Sequence, residues 1–132
     1  MQDASIVRNK RKIDAAITNA QAVIALRSAL AAESDAHRAG RMDEAPLAQL
    51  LRPRQSYPRH LGELVWLYQP SQQPRPRCAQ EVPAQTEESR SLSAQLKRRG
   101  FVFVGPVTAL ALMSAIGIVN TDILGTWKRP SI

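Results

Sequence analysis

The feature that most constrains the fold is a pair of helix boundaries close together near the C-terminus, at Gly100 and at Gly105-Pro106. Residues 86–99 begin with Thr-Glu-Glu and end with three basic residues, the order of charge that suits a helix dipole. Gly100 is a typical C-terminal stop, and Pro106 stands where a new helix begins. The pattern predicts two helices, at about 87–99 and 106–117, joined by a tight turn.

Apolar residues spaced three or four apart predict the buried faces of these two helices. In the first helix they are Leu92 and Leu96. In the second they are Ala109, Leu110, Met113 and Ile116.

A long amphipathic helix is predicted over residues 5–32, packed on the other two. Its apolar side chains share one face because they recur at helical spacing, and they are Ile13, Ile17, Ala20 and Ile24. We therefore expect the three isoleucines to be buried.

The middle of the chain is less regular. Residues 33–60 are basic and contain Gly and Pro at several places, which predicts an irregular segment with at most a short helix after Pro46. Residues 61–85 read as a short buried helix followed by a proline-rich extended connection. With residues 86–132 carrying the paired helices, the 132 residues predict a single all-α domain.

The charge favours a polyanionic partner. The chain has 18 Lys and Arg against 11 Asp and Glu, a formal net charge of +7, and a sequence pI near 10.5. Nucleic acid is the commonest polyanion that such a field attracts. A basic surface that serves only solubility is the alternative.

Cysteine usage and the N-terminus indicate a cytoplasmic protein. Cys78 is the only cysteine, so the chain forms no intrachain disulfide. The leader is amphipathic rather than apolar, so we predict no signal peptide. Residues 101–121 carry no charge and reach membrane-spanning length, but Gly105-Pro106 interrupts them. A small single-span membrane protein is therefore the least favoured alternative.

The predicted turn offers a phosphate site. The first amide groups of the second helix lack intrahelical acceptors and point outward, where the helix dipole also favours an anion. Glycine lets a DNA backbone come close, and Lys97, Arg98 and Arg99 add charge without reading sequence. An ordinary helix-turn-helix corner, with glycines needed only for the turn, is the competing interpretation.

Three ordered segments resemble a known family. Residues 97–108, KRRGFVFVGPVT, continued by Met113, closely resemble the hairpin block of DNA-3-methyladenine glycosylase I. Residues 6–13, IVRNKRKI, followed by Ala16, Asn19 and Ala20, and residues 64–66, LVW, resemble two further blocks of that family.

The resemblance implies a helix-hairpin-helix glycosylase-like fold, incomplete in this chain, and base-excision repair that hydrolyses the N-glycosidic bond of 3-methyladenine in DNA. It implies a sequence-independent contact with double-stranded DNA. The contacting residues would be Lys97, Arg98, Arg99, Gly100, Phe103, Val104, Gly105, Pro106, Thr108, Arg8, Arg11 and Lys12.

Departures from the family pattern are equally informative. The family's base-gripping aromatic residues and glutamate precede the point where this chain starts, so we expect an N-terminally truncated protein with no catalytic residue of its own. The family's zinc-binding His and Cys after the hairpin fall on Asp122 and Thr126, and its two N-terminal ligands have no counterpart, so no zinc or other cofactor is expected. Asn120 stands where the wider superfamily has a catalytic Asp, as in the methyladenine branch.

Two functional expectations follow. The first is the family activity, which this chain alone is expected to lack. The second is a non-catalytic remnant that binds only the DNA backbone. Because the segment that precedes the chain in the family would cover part of the core, we also expect an exposed apolar face and self-association.

Overall fold

A computed structural model describes residues 4–125, with side chains from Lys10 onward. Four α-helices occur in this part of the chain: α1 (Ala4–Arg38), α2 (Leu61–Trp66), α3 (Glu87–Arg98) and α4 (Pro106–Ala115). Three short 3₁₀ helices lie between them, at Met42–Glu44, Ala48–Leu50 and Ala79–Glu81. Residues 4–125 contain no β-strand, and the predicted all-α fold class is confirmed.

The chain divides into two compact units. The first contains the residues up to Leu67 together with Leu96–Phe103, and the second contains Tyr68–Gln95 together with the residues from Val104 onward.

In the first unit, α1 is longer than predicted. It is rich in alanine and contains neither Gly nor Pro, so nothing in its sequence interrupts the helix before Gly40. Arg41 donates its amide to the Ala36 carbonyl at 2.9 Å and closes the last turn. Residues 33–38 therefore belong to the helix and not to the irregular segment.

The buried face of α1 is not the predicted one. Ile13, Ile17 and Ile24 are 58%, 53% and 68% exposed, whereas Leu26 and Leu30 are buried. Positions 24 and 26 lie on nearly opposite sides of a helix, because two residues advance by about 200°. The helix has two apolar stripes, and the one that packs, which includes Ala22, Leu26, Leu30 and Ala36, faces the rest of the unit.

Beyond Arg38 the middle segment has no α-helix before α2, in line with the prediction, and the 3₁₀ helix at Ala48–Leu50 is the short helix expected after Pro46. This segment is nevertheless anchored, since Ala45, Leu47 and Tyr57 are buried.

Helix α2 matches the short apolar helix predicted there. Its first turn is capped by the His60 ring, whose Nδ1 accepts the Glu63 amide at 3.4 Å. Leu64 and Val65 are buried, but Trp66 remains 43% exposed.

In the second unit, α3 begins at a reciprocal cap. Ser89 donates its amide to Thr86 Oγ1 at 3.1 Å, and Thr86 donates its amide to Ser89 Oγ at 2.8 Å. Thr86 therefore caps this helix as predicted, and Leu92 is buried.

Helix α4 begins at Pro106, as predicted, and buries Ala109, Leu110 and Met113. Ile116 was also expected inside but is 44% exposed. The reason is the helix end: Gly117 adopts φ +90°, and the Ile118 amide turns back to the Met113 carbonyl at 2.9 Å. This reversal places Ile118, instead of Ile116, in the buried position next to Met113.

Residues 101–121 do not form one membrane-spanning helix, because only Pro106–Ala115 is helical there. In the described part of the chain, residues Lys10–Arg38 of α1 have the length and apolar composition that a membrane span needs. Soluble core helices and signal sequences satisfy the same criterion, so this single helix is weak support for a membrane protein.

Candidate nucleic-acid interface

The turn after α3 is fixed by its own backbone. Gly100 adopts φ +92°, which an L side chain rarely does, and the Phe101 amide donates to the Leu96 carbonyl at 3.1 Å. Phe101 is buried, and Lys97 and Arg98 in the last turn are exposed. Of the three consecutive basic residues at 97–99 that were predicted to contact DNA, two are thus exposed to solvent.

A side chain of α1 holds the next residue of the turn. Asn19 donates its Nδ2 to the Val102 carbonyl at 3.1 Å and accepts the Val102 amide on its Oδ1 at 2.8 Å. The amide group of Asn19 therefore satisfies both backbone groups of one turn residue. The sequence analysis noted Asn19 only as part of the leader block and gave it no role, because nothing in the sequence distinguishes it from the other amide side chains of α1.

The tip of the turn is strained and apolar. Phe103 has φ +57°, an unfavourable value for an aromatic residue, and its side chain is 75% exposed. Val102 beside it is 37% exposed. Such backbone strain, which costs on the order of 1 kcal/mol, is often found at ligand-contacting positions.

The first turn of α4 presents unpaired amides. The first i→i−4 bond of the helix is donated by the Ala109 amide to the Gly105 carbonyl at 2.8 Å, so the amides of Val107 and Thr108 precede it. Val107 and Thr108 are exposed, and Pro106 has no amide hydrogen. Before the helix, the Val104 carbonyl accepts a short hydrogen bond from the Ser93 hydroxyl, which fixes the entry of the chain into α4.

Gly105 is not required by the local structure. Its φ of −65° and ψ of 169° are extended values that any residue adopts. A Cβ built on Gly105 would meet no atom of the described residues within 4 Å. The open space above this backbone therefore remains available to a group from outside the described chain.

Arg99 differs from its basic neighbours. Its Nη1 and Nη2 donate to the two carboxylate oxygens of Glu33 at 2.8 and 3.0 Å, and the two side chains are only 12% and 16% exposed. The Tyr57 hydroxyl also donates to Glu33, at 2.6 Å. The structure thus gives Arg99 a bidentate partner inside the first unit, which sequence spacing could not reveal across 66 residues.

The basic leader lies on α1. Arg11 and Lys12 are exposed near its N-terminal end, together with Lys10. Arg8 belongs to the same helix, and its side chain lies outside the described part of the structure. The exposed leader cations provide positive charge independent of the turn.

The segment after α4 forms a small polar cleft of about 230 Å³ in the second unit, lined by Ser114, Asn120, Thr121 and Asp122 among others. Gln73 supports it by accepting the Asn120 amide at 2.8 Å, and the Asp122 amide donates to Asn120 Oδ1 at 2.9 Å. Asn120 cannot act as a carboxylate base, as expected from the sequence.

The described residues do not fit a zinc site. Of the two positions that correspond to the family's ligands after the hairpin, Asp122 is described and Thr126 lies outside the described residues. Between residues 4 and 125 there is no group of three His, Cys, Asp or Glu side chains placed to hold a metal ion.

Comparison with known proteins assigns the family. Residues 44–129 match the methyladenine glycosylase family, and these residues include the turn and α4. Because this match covers more than half of the chain, the protein belongs to that family.

Two curated relatives agree with the assignment. The chain is 30% identical over 133 residues to DNA-3-methyladenine glycosylase 1 of Escherichia coli, covering 98% of this chain and 56% of the relative. It is 26% identical over 126 residues to a DNA-3-methyladenine glycosylase of Haemophilus influenzae, covering 93% of this chain and 52% of the relative. The chain therefore spans about half the length of these relatives. No solved structure shows significant similarity.

Proposed function

We propose that this chain forms the DNA-backbone-binding part of a DNA-3-methyladenine glycosylase, a cytoplasmic base-excision repair enzyme. The observation that carries the proposal is made at Gly105. Neither its backbone conformation nor its packing with the described residues requires a glycine at this position. A phosphate approaching the start of α4 would use that space.

The amides at the start of α4 supply the recognition. Val107 and Thr108 offer backbone N–H groups at the positive end of the helix dipole, where a phosphate oxygen accepts hydrogen bonds. Contacts of this kind fix the position of a duplex without reading its bases, so the proposed partner is double-stranded DNA of any sequence.

The exposed cations supply long-range attraction. Lys97 and Arg98 on α3, and Arg11 and Lys12 on α1, add positive charge that draws a polyanion, with an affinity that falls as salt rises. Arg99 contributes chiefly by holding the base of the turn, because its guanidinium is already engaged by Glu33. Phe103 provides an exposed apolar surface at the tip.

The reaction proposed for the whole protein is hydrolysis of the bond between the damaged base and the deoxyribose. Water adds to the sugar carbon and loses a proton, and the cationic base leaves with the electron pair of the broken bond as neutral 3-methyladenine. A base alkylated on a ring nitrogen is cationic and departs readily, so selectivity rests on base flipping and on the shape of a pocket. Residues that would perform these steps are not assigned in this chain, and we propose that residues 1–132 alone bind DNA without excising the base.

The second candidate, a non-catalytic DNA-binding protein, shares the same DNA contacts. Asn120 in the polar cleft after α4 does not separate the two candidates, because the methyladenine branch also has Asn where the wider superfamily has a catalytic Asp. The two functions differ only in whether 3-methyladenine is released.

The binding test compares Gly105→Leu with Ala111→Leu, which places the same side chain at an exposed position in the middle of α4. Gly105→Leu should retain the fold, because residue 105 is extended and unobstructed. We expect it to weaken binding of a blunt duplex at low salt by about tenfold or more, since a hydrogen bond to a charged group contributes about 1.5–3 kcal/mol. Equal affinity of the two variants would show that α4 does not approach the phosphate.

The excision test incubates the chain with alkylated DNA and measures free 3-methyladenine against DNA without protein. We expect the spontaneous rate only. Release clearly above that rate would establish the chain as an active glycosylase and refute the division of roles proposed above.

The absence of zinc is also a proposal. Elemental analysis of the purified chain should find no stoichiometric metal. One zinc per chain would contradict this proposal and reveal a metal site that the sequence does not predict.

A further inference from the structure

A second cleft lies wholly within the first unit, outside the phosphate site of α4. It has a volume of about 880 Å³ and is bounded by the C-terminal end of α1, by residues 55–60 and by α2. The side chains that determine its chemistry are His37, Arg38, Tyr57, Arg59, His60 and Trp66. We call it the α1–α2 cleft.

The α1–α2 cleft contains aromatic rings at different depths. Tyr57 is buried, and the His37 ring lies 5.6 Å from it, centroid to centroid, at an angle of 35°. Trp66 belongs to a helix whose Leu64 and Val65 are buried, yet its own side chain is 43% exposed and lines the cleft. An exposed indole beside a cleft offers a flat surface on which another ring can stack.

Arginines flank these rings. Arg38 forms an ion pair with Asp35, and Arg59 forms one with Glu63 at 2.7 Å; the two arginine side chains are 74% and 78% exposed. Exposed ion pairs of this kind are weak, so both guanidinium groups can still attract a phosphate. Residues 38–60, which supply much of the cleft, contain five arginines against two carboxylates. The local charge therefore favours an anion.

Glu63 is the one carboxylate that lines the cleft, and its charge is compensated. Both oxygens contact Arg59, and His60 Nε2 lies 3.5 Å from Oε1. The Arg59 guanidinium, by hydrogen bonding, holds the pKa of Glu63 below its usual value, so this carboxylate stays ionised and paired. An incoming phosphate would face the far side of the Arg59 guanidinium.

We propose that the α1–α2 cleft binds a nucleotide of a single DNA strand, with the base stacked on Trp66 and the phosphate held by Arg38 and Arg59. Stacking on one indole tolerates any base, so the contact is not sequence-specific. The proposal goes beyond the phosphate contacts of α4 and shares with them only DNA as the ligand. It gives the first unit an affinity for unpaired strands of its own.

The test uses a short blunt duplex and the same duplex with a single-stranded overhang of about five nucleotides, a length that one binding surface covers. Fluorescence anisotropy at low salt measures both dissociation constants for the full chain. We expect the overhang to tighten binding by about five- to 150-fold, the range for stacking of a base on an aromatic side chain. Trp66→Ala should abolish this gain and leave blunt-duplex binding unchanged.

Two matched controls separate the cleft from general effects. Ile24→Ala removes an exposed apolar side chain from α1 outside the cleft and should keep the gain. Arg38→Gln with Arg59→Gln should reduce the gain more than Arg75→Gln with Arg77→Gln, which removes two exposed charges in the second unit. Trp66→Phe should keep part of the gain that Trp66→Ala abolishes, because a phenyl ring can still stack on a base. A purely structural role of Trp66 would not require this difference.

The outcomes are distinguishable from those of the α4 test. If the blunt duplex fails to bind while the single strand binds through Trp66, this inference holds and the proposed phosphate site does not. If the overhang adds no affinity, or if Trp66→Ala keeps the gain, the inference is wrong. Binding of free dAMP without any gain from the overhang would assign the cleft to a free nucleotide and overturn the strand proposal.

Discussion

Removing the Glu33 carboxylate tests how the first unit is held together. Glu33 on α1 accepts two hydrogen bonds from Arg99 at the end of α3 and one from Tyr57 in the middle segment. Tyr57 in turn accepts the Leu47 amide at 3.2 Å on its hydroxyl oxygen. One carboxylate thus joins three parts of the unit that are distant in sequence.

The expected cost of Glu33→Ala follows from burial. Arg99 is 12% exposed, and its Nε is already without a partner among the described residues. Deleting one member of a buried ion pair costs about 3–5 kcal/mol, because the remaining charge is left uncompensated. Since a little solvent reaches both side chains, we expect a loss of about 3 kcal/mol, or roughly 10 °C in Tm for a chain of this size.

Urea unfolding followed by circular dichroism measures the loss. Asp35→Ala is the matched control, since it removes a carboxylate two residues away whose partner Arg38 is 74% exposed. That change should cost no more than about 0.5 kcal/mol. Glu33→Gln should fall between the two, because the amide keeps one acceptor for Arg99 or Tyr57 but loses the charge.

A double variant guards against a general effect of mutation. If Glu33 acts through Arg99, then Glu33→Leu with Arg99→Leu should be more stable than Glu33→Leu alone, since no charge is left buried. Equal losses for Glu33→Ala and Asp35→Ala would refute the reasoning, as would strict additivity in the double variant.

Three further predictions follow from the same structure. Burial, and then the hydrogen bond to Glu33, raise the pKa of Tyr57 above its usual value of 10. The stability that the neutral form of Tyr57 contributes should therefore be complete below pH 10 and should decline as the pH rises further. Urea unfolding at rising pH should show this decline in the wild type and less of it in Tyr57→Phe. The exposed isoleucines of α1 should drive self-association, so Ile13→Gln with Ile17→Gln and Ile24→Gln should lower the mass measured by light scattering, while an unchanged monomer in both proteins would contradict the role of this face. Lys97→Ala with Arg98→Ala should reduce the slope of log affinity against log salt by about two for duplex DNA, and an unchanged slope would exclude both side chains from phosphate contact.

The predicted elements that proved right depend on local chemistry. Thr86 at the start of α3, Gly100 at its end and Pro106 at the start of α4 each act through atoms within a few residues, so the sequence alone determines them. The all-α fold class follows from such boundaries. The helix-hairpin-helix arrangement and the DNA contacts remain predictions.

The wrong predictions depend on distant partners. Ile13, Ile17 and Ile24 form a valid amphipathic face, but the stripe with Leu26 and Leu30 is the one that the unit covers. Periodicity reveals that a helix has an apolar face and does not reveal which of two faces is covered. The DNA contact of Arg99 stays a prediction, but spacing could not reveal that its guanidinium contacts Glu33, which lies 66 residues away.

The two glycines of the turn show how structure separates folding from binding. Gly100 adopts φ +92°, so any side chain at this position strains the end of α3, whether or not DNA is bound. Gly105 has an extended backbone and open space above it, so an added side chain costs the folded chain little. The sequence motif contains both residues and cannot distinguish them. The backbone conformation of the folded chain accounts for Gly100 and does not account for Gly105. A substitution of Gly105 therefore reports on DNA contact, whereas a loss of stability on substitution of Gly100 would say nothing about function.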